Sequence, residues 1–175
     1  KSLSSLPRPV VVVAHELLPS ETATLDREKV LGIIGETGGV TSHTAILASS
    51  YDIPAVLGVA NATTTLQDGQ QVGLDAFSGE VFANPDEGTT RKLKGQKATW
   101  ENQKAINAQY LTKPAQLADG TRIEIGLNIA SADQVEAYAH ADFVGLFRTE
   151  FLYMQGSRAP TEEEQLAAYR RVLEH

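Results

Sequence analysis

Up to residue 85 the chain alternates short apolar runs with turn-forming residues. Residues 10–13, 30–34, 55–59, 71–75 and 80–83 have the length and β-branched content of strands, and Asp68-Gly69 and Ser78-Gly79 mark turns between the later ones. Ser20 predicts the cap of a short helix ending before Arg27. A second helix is predicted over residues 42–51, which Pro54 prevents from continuing. Together these elements predict a small α/β unit.

The pattern then changes. Residues 86–110 contain no proline, and Leu93, Ala98, Trp100, Ala105, Ile106 and Ala108 recur at loosely helical spacing among charges and amides. The spacing predicts one long connecting helix with a narrow apolar stripe that Trp100 is expected to anchor. Beyond it, Asp119-Gly120 signals a turn, residues 123–129 predict a buried strand, and Ser131 with Asp133 opens a helix through Ala139. Phe143-Val144-Gly145-Leu146-Phe147 predicts another strand. Strand, helix, strand is the start of a parallel α/β array. Thr161, with Glu164 three residues on, predicts a capping box for a last helix.

Composition narrows the function classes. The chain has 175 residues, 42% hydrophobic and 21% charged, with no cysteine, so no disulfide framework exists. Apolar runs fall short of the ~20 residues of a membrane span, and the N-terminus does not read as a signal peptide. A cytoplasmic location is therefore expected. The net charge of -7, with 15 basic residues in no long block, argues against a nucleic-acid surface. Asp52, Asp68, Asp75 and Glu80 lack metal-ligand clustering, and no Walker-type GxxxxGK[ST] motif occurs, so nucleotide binding is not supported.

One segment carries candidate chemistry. In Gly38-Gly39-Val40-Thr41-Ser42-His43-Thr44-Ala45-Ile46-Leu47-Ala48, paired glycines lead to a histidine at the start of an apolar helix. Gly38 and Gly39 permit backbone conformations closed to other residues, and Thr41 or Ser42 caps the helix. The helix N-terminus favours an anion beside His43 and disfavours imidazolium, which leaves a ring nitrogen able to attack phosphorus. His43 is the candidate nucleophile, and Gly38, Gly39, Thr41 and Ser42 are the candidate phosphate-positioning groups. A structural histidine at a helix start is the alternative from spacing alone. His15 and His140 receive no role.

The run GGVTSHTAILA, continued by Ile53-Pro54-Ala55-Val56-Leu57-Gly58, resembles the phosphohistidine signature of phosphoenolpyruvate-utilising enzymes. Leu18-Pro19-Ser20-Glu21-Thr22-Ala23, Gly145-Leu146-Phe147-Arg148-Thr149-Glu150-Phe151-Leu152-Tyr153-Met154, Pro160-Thr161-Glu162-Glu163-Glu164-Gln165 and Ala168-Tyr169 resemble the Enzyme I family of the bacterial sugar phosphotransferase system in particular. Phosphoenolpyruvate synthase and pyruvate phosphate dikinase are the competing members. A non-catalytic module of the same fold is a further alternative.

The resemblance implies an α/β architecture in three parts: a swivelling β/β/α phosphohistidine domain over residues 1–85, a helical linker over 86–114, and over 115–172 the first strands of an incomplete (β/α)8 barrel that binds phosphoenolpyruvate. Residues 173–175 resemble a tag remnant, and the chain is expected to be a central piece of a longer protein. The implied function is phosphoryl transfer from phosphoenolpyruvate to the carrier HPr through phosphohistidine, with a homodimeric parent. Mg2+ is the implied cofactor, its ligands lying outside this chain. Arg148, at the end of a predicted barrel strand, is the implied phosphate-gripping residue, against an ion pair with Glu150 or Glu136 as its alternative. One departure stands out: Ser49 occupies a place where the family usually carries arginine, which removes a possible phosphate contact. Lys29, Arg27 or a partner arginine are the possible substitutes.

Overall fold

The computed structural model describes residues 3, 5–18, 21–22, 24–138, 140–154 and 158–174. The predicted cap at Ser20 lies outside the described residues, as does Ala139, the predicted end of a helix that here stops at Ala137 because Tyr138 leaves the helical region. The chain forms two compact units, residues 1–97 and 98–175.

In the first unit β1 (Val10–Ala14), β2 (Val30–Gly35) and β3 (Ala55–Leu57) form a parallel sheet in the order β1-β2-β3. The register sets Ala14 level with Gly35, and Gly35 level with Leu57, so the three strands end in one row. The third strand is shorter than its apolar run because Gly58 takes a φ of +79° and turns the chain, while the Val59 amide still donates to Gly35 O at 3.0 Å.

Both faces of this sheet are covered. Helix α1 (His43–Ser50) contributes Ala48 to a core with Val12, Leu17, Leu25, Val30, Ile33 and Ile53. On the other face the hairpin of β4 (Val72–Asp75) and β5 (Glu80–Ala83) lies so close that a Cβ at Gly32 would stand 2.5 Å from Leu74 Cδ2. Asp75 closes the hairpin by accepting the Phe77 amide at 2.9 Å, and Gly79 at φ +75° completes the turn. A one-turn helix, α2 (Ala62–Thr65), enters from Asn61 in the left-handed region.

Helix α3 (Glu87–Ala108) runs from the first unit into the second. Its first half holds to the hairpin through Leu93 against Gly73 and through Gln96, which donates to Asp75 Oδ2 at 3.1 Å. None of its side chains is fully buried, and Trp100 is exposed with the Lys104 ammonium 5.2 Å from its ring. The expected anchor is therefore a local cation–π pair. Charges and amides surround this helix almost evenly, which leaves too little apolar face for Trp100 to bury.

In the second unit β6 (Gly126–Ile129) and β7 (Phe143–Phe147) pair in parallel, with α4 (Asp133–Ala137) between them in sequence. The predicted buried strand over 123–129 is corrected here. Its first three residues are not strand: Ile123 donates back to Ala115 O at 2.9 Å beyond the Asp119-Gly120 turn, and Ile125 donates to the Asp142 carboxylate at 2.9 Å. Pairing with a turn and a side chain leaves Ile123 and Ile125 exposed, and of this stretch only Ile129 is buried. Ser131 does not cap α4; Gln134 Oε1 instead accepts the Ala130 amide at 2.6 Å. Helices α5 (Glu150–Met154) and α6 (Glu162–Leu173) follow, and α6 has the predicted capping box between Thr161 and Glu164. Tyr169 of α6 meets Phe147 edge-on with ring centroids 5.8 Å apart.

Candidate functional site

Everything chemically distinctive in the first unit leaves the C-terminal row of its parallel strands. After β2 the chain passes through Glu36 and Thr37 to Gly38, whose φ of +95° excludes ordinary side chains. A Cβ there would also meet Ser42 Oγ at 3.1 Å and Leu57 Cδ1 at 3.4 Å. Gly39 differs: its φ is outside the left-handed region, and nothing lies within 4 Å of a Cβ placed on it. Only the first glycine of the pair is demanded by geometry.

Ser42, not Thr41, is the cap. Its extended backbone (φ −68°, ψ 157°) lets its Oγ accept the Ala45 amide at 3.3 Å. Thr41 is exposed in the loop. His43 is the first residue of α1 and is exposed, whereas Thr44 is buried and donates through Oγ1 to Leu17 O at 3.4 Å. First-turn amides of a helix have no acceptor within it, so the side chain at position 43 stands beside partial positive charge.

A hollow of about 130 Å³ opens at this place, large enough for more than one water-sized group. His43, Ser42 and Gly38 line it together with Thr37, Thr44 and Glu16. Among the described residues no lysine or arginine lines it. Ser49 lines a second, larger hollow of about 380 Å³ with Val40, Ala45 and Ala48, and His43 is not among the residues that line it.

One group of residues at the same row escaped the sequence reading. Glu36 Oε1 accepts both the amide (2.8 Å) and the hydroxyl (2.6 Å) of Thr63, and its Oε2 accepts Nδ1 of His15 at 2.6 Å. These bonds, the Thr63 hydroxyl foremost and then His15, hold the Glu36 carboxyl down at about 2. A carboxylate directly before a glycine pair at a strand end was the available signal, but its partners are 21 and 27 residues distant in sequence.

In the second unit Arg148 follows β7 directly, and its amide donates to Ile129 O at 2.7 Å. Its side chain is half-buried. Among the described residues it pairs with neither Glu136 nor Glu150: Glu136 is taken by Arg171, whose Nε donates to it at 2.8 Å. Among the described residues no group of three or more His, Asp or Glu side chains converges to hold a metal ion. Among them, too, no helix is long and apolar enough to cross a membrane.

A histidine thus stands on a glycine-turned helix start in one α/β unit, and an arginine directly follows a parallel strand in the other. Residues 6–79 match the model described as PEP-utilising enzyme, mobile domain, and residues 104–175 match that of the PEP-utilising enzyme, PEP-binding domain. The chain belongs to the PEP-utilising enzyme family. It is 41% identical over 173 residues to a phosphoenolpyruvate-protein phosphotransferase of Bacillus subtilis, covering 98% of this chain and 30% of that one. With the enzyme of the same name from Haemophilus influenzae it shares 39% over 166 residues, 94% of this chain and 29% of the other. An NMR solution structure of Enzyme I (nEIt) is similar at a TM-score of 0.54 and 46% identity, covering 58% of this chain and 41% of that one. The chain thus spans about 30% of the length of the curated relatives it matches.

Proposed function

We propose that His43 carries a phosphoryl group, taken from phosphoenolpyruvate and passed to a histidine of HPr, as part of a longer enzyme of the phosphoenolpyruvate-protein phosphotransferase type. One observation carries the reading: an exposed imidazole on the first residue of a capped helix, beside a hollow shaped by a left-handed glycine. A ring nitrogen of His43 attacks phosphorus as the bond to the enolpyruvate oxygen breaks, giving a phosphoramidate. The carrier's histidine then attacks the same phosphorus and His43 leaves.

The hollow also supports a division of labour. Among the described residues no lysine or arginine lines it, and two hydroxyls at its edge are already engaged, Thr37 Oγ1 with His15 O and Thr44 Oγ1 with Leu17 O. Cationic clamping of the phosphate falls to Arg148 and to other groups of the barrel, where a planar guanidinium fork matches the oxygens. In this reading residues 1–85 are the swivelling domain, 86–114 the linker and 115–172 the opening strands of the barrel. Because one nitrogen visits donor and acceptor in turn, the domain bearing it moves as a body. The exposed Phe143 and Leu146 on β7 fit strands that further barrel elements cover. Mg2+ belongs to those elements.

The experiment is phosphate mapping. In the full-length parent given phosphoenolpyruvate, an acid-labile, alkali-stable phosphate is expected on His43 and is expected to vanish in His43→Ala. The 175-residue chain alone is expected to stay unlabelled. A parent that takes no phosphate, or takes it on Ser42 or Thr41, contradicts the reading; rapid labelling of the short chain contradicts the part assigned to the barrel.

A further inference from the structure

Both ends of the loop that delivers His43 are tied to one short segment, the last residue of β1 and those just after it. On the incoming side the Glu36 amide donates to Ala14 O at 3.1 Å, and Thr37 donates twice to His15 O, from its amide at 3.0 Å and its hydroxyl at 3.1 Å. On the outgoing side Thr44 Oγ1 reaches Leu17 O. Between these ties residues 39–41 are exposed and a Cβ at Gly39 would touch nothing. The direction in which the loop departs is therefore set at its stem.

Glu36 is the residue that joins the stem to two other elements. Its side chain, 14% exposed, bonds Thr63 at the head of α2 and His15 beyond β1, while its neighbour Thr37 lines the hollow. Glu36 itself is not among the residues that line that hollow. Both oxygens are occupied, and the group stays ionised across the neutral range.

We propose that Glu36 is a positioning residue for His43: through Thr63 and His15 it fixes how residues 37–42 leave the sheet, and so which imidazole nitrogen faces the incoming phosphorus. The inference rests on His43 being the phosphoryl carrier. Orientation errors of about an ångström are enough to cost a transfer step a hundredfold, so an anchor several residues away can govern it.

Potassium phosphoramidate tests this on the 175-residue chain without any partner, because a histidine nitrogen attacks its phosphorus and ammonia leaves. Label on His43 is expected at a single ring nitrogen. Glu36→Ala is expected to slow that labelling about tenfold or more and to yield both phosphohistidine isomers. Glu36→Gln, which keeps an oxygen for Thr63, is expected to retain the single isomer. Thr63→Ala removes one of the three bonds and is expected to shift the isomer ratio in the same direction, which keeps the test decisive if Glu36→Ala does not fold. Wild-type rate and wild-type isomer in Glu36→Ala and Thr63→Ala overturn the positioning role alone. No label on His43 in the unsubstituted chain, with label on other histidines, overturns the carrier reading and the inference with it.

Discussion

Gly38 lies directly beneath Ser42, close enough that the smallest side chain on residue 38 would stand 3.1 Å from the serine hydroxyl. The cap of α1 and the left-handed turn before it are thus one structure. Gly38→Ala is expected to destabilise the chain by about 1–3 kcal/mol, from the strain of a non-glycine residue at positive φ. Gly39→Ala, free of both strain and contact, is expected to stay within ~0.5 kcal/mol of the parent. Denaturant unfolding of the two variants side by side checks this contrast.

Capping makes a second comparison. Ser42→Ala removes the acceptor of the Ala45 amide, and Thr161→Ala breaks the reciprocal bonds with Glu164. Each is expected to cost about 1 kcal/mol. Circular dichroism through a thermal melt measures both, and an increase in stability for either would contradict the assigned caps.

Acid sensitivity follows from two carboxylates. Glu36, held by Thr63 and His15, and Glu164, held first by the Arg158 guanidinium and then by the Thr161 amide, both sit near 2 in the folded chain against an ordinary 4.5. Folding depresses these pKa values, so the stabilisation they provide is complete above about 4.5 and is lost as pH falls toward 2. Unfolding midpoints are expected to decline across that interval, with the decline reduced in Glu36→Gln and Glu164→Gln.

Core and surface separate along a single strand. Ile33 is 0% exposed and Leu31 53% exposed on β2. Ile33→Ala is expected to cost about 2–5 kcal/mol, and Leu31→Ala ~0.5 kcal/mol or less. Equal losses measured by urea titration would mean that β2 is misregistered.

Much of this was legible in residue order, for identifiable reasons. β2, β5 and β7 are contiguous apolar runs bounded by turn residues, and all three form within a residue of where the pattern puts them. His43 at the helix start was equally plain, since Ser42 and the glycine before it are local signals. What escaped was either too short or too distant. Helix α2 is a run of threonines, β-branched residues whose own preference is for strand, and it exists because Glu36 receives its first turn. The Glu36–His15–Thr63 group depends on chain crossings that only the sheet order creates. Trp100 misled because a lone tryptophan on a polar helix finds a lysine as readily as a core.

The level ends of β1, β2 and β3 carry one more implication, for how this rim tolerates insertion and deletion. Removing a single residue from β2 would shift the chain after it by one pleat against its neighbours, so that the strand no longer ends level with Ala14 and Leu57. Such a lesion changes no side chain of the loop before His43, yet it moves the stem from which that loop leaves the sheet. Length along that strand thus constrains where His43 stands as firmly as the residues of the loop do.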